Sequence, residues 1–540
     1  MSKASRSGAW SKNLLFCGLL IASGTTASQG QSPPVPPPSL PPEITGEAPA
    51  PIEKPTTAPT AREAALEERI QHLEQMVQKM AAQLNQGAAP PSAAAPAPSA
   101  LKTPNFPNAT GPLAPGQGTP ANPAPSVRFD MPSTSVNFPL TGKFGPGFEF
   151  KTADEEFVAQ WHNLTQFDGR FYQQANQSPT HDTFAFPRQW WMLSGRITKP
   201  FEYFISFQNG FDAISMLDVF LNIHYDDRLQ FKVGRYKTPF TYEFYALPIQ
   251  GLVQPERSLF FNNFALNRSL GVQAWGRLFA KTAPLDYAVG MFNGARNSFV
   301  DLSDAKNVLA FVNWRPFAQD EGSLLENFNF GGSVQAGTQT NPPLPQTLRT
   351  IVPTAGNSVA GVPFLSFNSN VRESGPRAFW DLHAAWYYQH LSLIAEWQSG
   401  YQDYALANSL ASHNRVGVDS FYVQAGYFIT GETVSGRNVV KPLNDFDLRP
   451  GRFGLGAIEL TTRFNSMNMT RNIFDAGLAD PNLWTNNLYT ADFGVNWSLN
   501  QFVLFRFDWE HAVFGNPVLY NTDSLQKTSD LFLFRFQLYF

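Results

Sequence analysis

The chain is 540 residues long, with a formal net charge of −4, 15% charged residues and 14% aromatics, among which Phe leads with 48. So even a balance excludes the basic stripe of a nucleic-acid binder. A single cysteine, Cys17, excludes an intrachain disulfide and a cysteine-built metal site, and no apolar run approaches the roughly 18 residues of a helical span, so any membrane crossing falls to strands.

The N-terminus reads as a secretory signal over residues 1–27. Lys3, Arg6 and Lys12 form a basic region, Leu14 to Ala22 an apolar one, and Ser23 to Ser28 a small-residue cleavage region with Thr25 and Ala27 at the inspected positions. Cys17 sits inside the apolar region behind bulky Phe16, which disfavours a lipoprotein signal. Residues 28–60 are a Pro-rich linker that cannot bury a core. Over residues 61–86, Leu66, Ile70, Leu73, Val77, Met80 and Leu84 alternate spacings of four and three, the seam of a coiled coil. A solitary amphipathic helix is the alternative, because three heptads are marginal. Ile70 and Val77 at one seam position with Leu at the other lean towards two strands. A second linker, rich in Pro, Ala and Gly, runs over residues 87–137.

From residue 138 to 540 the pattern changes to short alternating segments. In the cleanest, Tyr489, Ala491, Phe493, Val495, Trp497 and Leu499 fall on one face, and Thr490, Asp492, Gly494, Asn496 and Ser498 on the other. Candidate strands start near Phe157, Gln189, Phe201, Met216, Arg228, Ser269, Pro284, Asn307, Asn327, Phe379, Leu391, Asp419, Phe453, Asn487, Gln501 and Leu531. That is about sixteen, which predicts an all-β fold, a transmembrane antiparallel β-barrel. Alternate connections are very short, as at Lys199-Pro200, Asp226-Asp227, His390 and Asn500, and those between them are long, which is the short-turn, long-loop habit of outer-membrane barrels. The stretch from Gly431 to Arg452 breaks the rule: it is a missed hairpin or a turn that folds inward. The chain ends on Phe532, Phe534, Phe536, Leu538 and Phe540, with Arg535 and Gln537 opposite. A terminal aromatic closing an alternating strand resembles the signal read by bacterial barrel-assembly machinery.

Five motifs in order resemble the phosphate-selective porin O and P family. They are Lys232 to Phe240 (KVGRYKTPF), Glu256-Arg257-Ser258, Asn267 to Gly271 (NRSLG), Tyr427 to Glu432 (YFITGE), and Gly456 to Leu460 (GAIEL) with Arg463. Ile458 and Phe464 stand where the family carries Trp and Tyr. The resemblance covers the chain after about Gly145. It implies a sixteen-stranded homotrimeric barrel in the outer membrane of a diderm bacterium, passing small anions, in some members phosphate. The implied partners are the lipid bilayer, lipopolysaccharide and, through the Phe540 strand, the assembly machinery. It also makes the connection from Tyr236 to Arg268 a constriction loop, and leaves the N-terminal segment periplasmic.

Alternation assigns Arg196, Lys232, Arg277, Arg315, Arg463, Arg506 and Arg535 to the lumen, together with Glu202, Asp218, Asp381, Glu396, Glu459, Asp492, Asp508 and Glu510. Lys237, Arg257 and Arg268 belong to the loop region, beside Glu243 and Glu256. Lys232, Lys237, Arg257, Arg268, Arg277, Arg463 and Arg506 are therefore the candidate pore-lining or anion-binding residues, since channel selectivity comes from charges lining a narrow passage and an Arg fork suits an oxyanion. Such charges equally serve to pair with one another and knit the wall. A general or carbohydrate-type porin is the nearest alternative. A structural envelope barrel, tethered to peptidoglycan through the coiled coil, is another. The eight histidines are scattered, and neither His-Glu-x-x-His nor Gly-x-Ser-x-Gly occurs. No enzyme, metal site or cofactor is expected.

Overall fold

The computed structural model describes residues 139–540, apart from 146, 174–180, 211–212, 298, 301–302, 352–360 and 522–523. The expected signal peptide, both linkers and the coiled coil lie outside the described residues.

A short hairpin comes first, β1 (Leu140–Phe144) and β2 (Phe148–Thr152). Next come β3 (Val158–Tyr172), β4 (Thr183–Thr198), β5 (Phe201–Gly210), β6 (Ala213–Asp226) and β7 (Leu229–Lys237). The connection 238–267 then carries two short helices, α1 (Tyr242–Tyr245) and α2 (Leu259–Asn263). It leads to β8 (Arg268–Leu278), β9 (Leu285–Phe292), β10 (Asn307–Trp314) and β11 (Asn327–Asn341). A separate two-stranded hairpin follows, β12 (Thr347–Arg349) with β13 (Pro363–Ser366), then β14 (Val371–Tyr388), β15 (Leu391–Leu406), β16 (Asn414–Phe428) and β17 (Ala457–Met469). A last short helix, α3 (Asn472–Asp475), precedes β18 (Asn487–Ser498), β19 (Val503–Asn521) and β20 (Ser524–Tyr539).

Eighteen of these strands share one antiparallel sheet, and the ring closes where β20 pairs with β3, from Leu531 opposite Tyr172 to Tyr539 opposite Leu164. Setting aside β1 and β2, which lie off the ring, sixteen strands form a closed barrel. Every one of the sixteen corresponds to a strand expected from the sequence. β4, β14, β16 and β20 begin five to eight residues earlier than expected: the outer ends of β14, β16 and β20 carry polar residues that do not continue the apolar alternation, and in β4 the outward Phe184 and Phe186 are put out of step with the rest of the strand by a register shift against β3.

β20 stops short of the first residues of β3, and the hairpin fills the gap: Phe148 to Lys151 of β2 pair with Trp161 to Val158. At this joint the backbone of Phe540 exchanges hydrogen bonds with Asn163, at 2.7 and 3.1 Å, while its ring meets Phe144 and Phe148. The hairpin was not legible in the sequence. Its five-residue strands fall before Phe157, where the first expected strand starts.

Alternation sorts the faces. Trp191, Leu193 and Ile197 of β4 and Phe532 and Phe534 of β20 lie exposed on the outside, and Arg188, Arg535 and Gln537 are buried inside. An outer belt of large apolar side chains is a lipid-facing surface. Rings meet along it between neighbouring strands, tilted in Phe421 with Phe464 and stacked in Phe464 with Tyr489 and Phe493 with Trp509. Such cross-strand pairs each contribute about 0.2–1 kcal/mol. Among the described residues no helix is long and apolar enough to cross a membrane.

The lumen is packed rather than lined. Phe240, Phe244, Phe260 and Phe261 of the connection 238–267 join Leu348, Phe364 and Leu365 of the β12–β13 hairpin in a core inside the long-loop end. The long turn 429–456 also folds inward. Among its described residues there is only one isolated bridge, Asp447 with Gly454, and no hairpin. Its Arg437 is buried, and its backbone meets the inward loop so closely that a Cβ on Gly251 would lie 2.9 Å from Asn438 Cα.

Candidate permeation site

The connection 238–267 enters and leaves between paired strand ends, with Lys237 opposite Arg268. Thr241 takes φ 61°, an outlier for a β-branched residue. That backbone turns the first N–H groups of α1 onto one carboxylate: the Tyr242 and Glu243 amides donate to Glu396 at 2.9 and 2.7 Å. Tyr422 also donates to Glu396, and Ser333 Oγ accepts the Thr241 amide at 3.0 Å. The strained turn is thus held from β11, β15 and β16 at once.

Beyond α1 the loop runs along a ladder of donors from the wall. Arg437 donates to the Gly251 carbonyl at 2.9 Å, Arg506 to Leu252 at 2.9 Å and Asn496 to Val253 at 2.9 Å. Arg535 donates to Pro255 at 2.5 Å and Arg463 to Glu256 at 2.6 Å. The Glu256 carboxylate sits between Arg188, at 2.6 and 2.9 Å, and Arg535, at 2.6 Å. Burial alone would push the Glu256 carboxyl up, but those guanidiniums overcome it and hold it well below the usual range. Glu243 lacks so close a partner: Arg463 is 3.8 Å away, and burial pushes its carboxyl up to about 7. Asp168 joins Arg535 to Arg170 at 2.6 and 2.8 Å, Arg437 pairs with Glu459 at 2.5 Å, and Arg463 pairs with Asp492 at 3.2 Å. Breaking such a buried pair from one side costs about 3–5 kcal/mol, because a charge is left uncompensated.

On the opposite side of the lumen the loop leaves a cavity of about 1000 Å³. Its walls come mainly from β4 to β10, and the exposed residues Asp227, Arg277 and Ala280 in its lining show that it opens at the short-turn end. Four of its cations are Lys232, Lys237, Arg268 and Arg277. Arg268 pairs with Asp218 at 3.0 Å and Arg277 with Asp286 at 2.5 Å. The two lysines differ. Lys237 Nζ donates only to carbonyls, Phe244 at 3.0 Å and Leu247 at 3.3 Å. Lys232 Nζ stands over the rings of Phe220, Trp275 and Tyr236, at 4.7, 4.7 and 5.3 Å. Among the described residues neither has a carboxylate within ion-pair distance.

The seven candidate residues therefore separate. Lys232, Lys237, Arg268 and Arg277 share the vestibule. Arg463 and Arg506 are committed to the loop backbone under the plug and do not line it. Arg257 is buried between Phe244 and Phe261, its guanidinium 5.1 Å from each ring and two of its nitrogens without a hydrogen bond. Sequence reasoning missed Asp168, Arg170, Arg188 and Arg437. The first two lie on the outer half of β3, past the expected end of that strand. Arg188 falls one residue before the expected start of β4, and the isolated Arg437 carried no periodic signal. The inward alternation of Gln166, Asp168 and Arg170 was the signal that could have found the first pair.

A second, far smaller void of about 10 Å³ lies towards the long-loop end, lined by Asn263, Phe264 and Leu266 together with Arg296, Arg377 and Glu373. It shares no residue with the vestibule; the segment 263–268 stands between them.

A closed sixteen-stranded barrel with an apolar belt, an inward connection over 238–267 and a charged vestibule has the build of a porin. Residues 368–540 match the family model described as phosphate-selective porin O and P, which bears out the resemblance read from the motifs and supports a porin role in the outer membrane. The matched stretch holds the Tyr427 to Glu432 and Gly456 to Arg463 motifs, whereas the inward loop and vestibule lie before it. No curated protein matches the chain. Among solved structures it is similar to an anion-selective porin from Comamonas acidovorans, at 8% identity and a TM-score of 0.41 over 71% of this chain and 100% of that one. It is also similar to OprB of Pseudomonas putida, at 11% identity and a TM-score of 0.44 over 72% of this chain and 95% of that one. OmpF of Salmonella typhi in complex with daunomycin gives 10% and 0.44 over 72% and 100%.

Proposed function

We propose that the protein is an outer-membrane porin through which small anions, phosphate among them, diffuse passively. The observation that carries this reading is the pair of ammonium groups, Lys232 and Lys237, that face a water-accessible vestibule with no carboxylate partner among the described residues. Uncompensated positive charge in a low-dielectric tube concentrates anions and repels cations. An anion leaving the vestibule reaches the partition 263–268, beyond which Arg296 and Arg377 stand with Glu373 around the smaller void. Passage then requires this segment to shift while the arginine ladder keeps the rest of the loop in place. The chain is expected to act as a homotrimer with its N-terminal segment in the periplasm, which crosslinking of the detergent-solubilised protein tests; a clean dimer contradicts it. In planar bilayers the protein is expected to give stepwise conductance with an anion-selective reversal potential across a KCl gradient. A cation-selective potential sinks the reading.

The packed outer half of the lumen favours a second reading, a structural envelope barrel. It predicts correctly inserted protein with no conductance, and loss of envelope integrity when residues 61–86 are deleted. A carbohydrate-type porin predicts instead that maltooligosaccharides, and not phosphate, compete for uptake.

A further inference from the structure

We infer that the vestibule is a binding site for a small aromatic carboxylate, a planar ring bearing one anionic group; this deepens the anion-porin reading and rests on it. Inorganic phosphate is compact and strongly hydrated, and it is matched best by several converging polar donors. The vestibule offers something else. Its walls are aromatic on several sides, with Trp190, Phe204, Tyr245, Trp275 and Phe311 all in the lining. Three of these rings are fixed by hydrogen bonds from their polar ends or to them. Trp190 donates to Gln208 at 2.7 Å, Trp275 donates to Asn222 at 2.9 Å, and the Tyr245 hydroxyl accepts from Gln273 at 2.8 Å. These rings are therefore fixed in place, with Lys232 over Trp275 and Arg268 over Trp190, which lowers the ordering cost of binding beside them.

The charges complete the match. Of the four cations in the lining, Arg268 and Arg277 pair with Asp218 and Asp286, and Asp227 adds a carboxylate at the rim, so the lining keeps a positive excess that belongs to Lys232 and Lys237, the two without a carboxylate at ion-pair distance among the described residues. Lys232 is embedded among Phe220, Tyr236 and Trp275, so an anion that meets it also meets ring faces and edges. A ligand with a flat apolar body and one carboxylate uses both features together. A sugar would use the rings and leave the ammonium groups without an anionic partner. A compact oxyanion would use the ammonium groups and leave the rings in water. About 1000 Å³ is ample for a single-ring acid with some of its water.

The test uses the full chain reconstituted in planar bilayers, with benzoate, acetate, phosphate or uncharged benzyl alcohol added at the short-turn side while chloride conductance is recorded. Benzoate is expected to block at concentrations about tenfold lower than acetate, since stacking adds to the shared charge, and benzyl alcohol is expected to have little effect. Trp275→Leu should raise the blocking concentration of benzoate and leave that of acetate in place, and Lys237→Gln should raise both. The four-solute comparison on the unaltered protein decides the matter even if a variant fails to assemble. Equal block by benzoate and acetate, or tighter block by phosphate, overturns the aromatic site and leaves the anion porin standing. No block by any anion, with a cation-selective reversal potential, overturns both.

Discussion

The two sides of the lumen use the same residue types to opposite ends. Against β14 to β20, Arg463, Arg506 and Arg535 of the strands and Arg437 of the inward turn are buried and directed at the carbonyls from Gly251 to Glu256, where they hold a loop in place of solute. Against β4 to β10 the loop turns away, and cations of the same nominal class stand beside water and aromatic faces. A basic residue that alternation points inward is thus not by itself a pore residue. The clamp arginines donate to the carbonyls from Gly251 to Glu256, whereas in the vestibule Arg268 and Arg277 are held by carboxylates, Lys237 by the Phe244 and Leu247 carbonyls, and Lys232 stands over ring faces.

The contrast breaks first at its most buried joint. Arg535→Ala leaves Asp168 and Glu256 short of a partner and frees the Pro255 carbonyl. Thermal unfolding of the purified barrel should show a loss of about 3–5 kcal/mol. A change under about 1 kcal/mol would mean that the clamp carries no such energy.

Glu243 sharpens the contrast through pH. Its carboxyl is raised from 4.5 to about 7 by burial, so the folded state holds a proton that the unfolded chain releases between these values. A raised carboxyl contributes stability that is lost as pH rises through that window, on the order of 3 kcal/mol at most. Comparing stability at pH 5 and pH 8, Glu243→Gln should flatten the decline; an unchanged slope refutes the assignment. Glu256 works in the opposite sense, since its lowered carboxyl contributes stability above about 4.5 that fades as the solution is acidified.

Next in size is Arg437→Ala. The buried pair with Glu459 is broken from one side, and because Glu459 keeps the Asn496 amide at 2.9 Å the loss should lie at the lower end for such pairs, about 3 kcal/mol. The variant also releases the contact between the inward turn and the loop, and single-channel conductance is expected to rise. Unchanged conductance would place the flow elsewhere. The smallest stability effect belongs to Lys232→Gln, under about 1 kcal/mol for the lost ring contacts, and its signature is a reversal potential moved towards zero.

Much of the wall was legible in the sequence, because lipid outside and polar groups inside impose a period of two that survives without any partner. All sixteen ring strands show it. The β1–β2 and β12–β13 hairpins do not, being three to five residues long and framed by turn residues. The vestibule was half legible. Lys232, Lys237, Arg268 and Arg277 came from alternation and the motifs, but nothing in a linear pattern tells which side of the barrel a loop will lean on. That choice depends on Arg437, Arg188 and Glu396, three residues far apart in sequence that meet only through the closed ring.

The most direct test of the account is ion selectivity in the unaltered protein and in the double variant Lys232→Gln/Lys237→Gln, measured as reversal potential across one KCl gradient. The account predicts an anion-selective protein whose preference is largely lost in the double variant while thermal stability stays nearly unchanged. A cation-selective wild type, or a double variant that keeps the full anion preference, would contradict it.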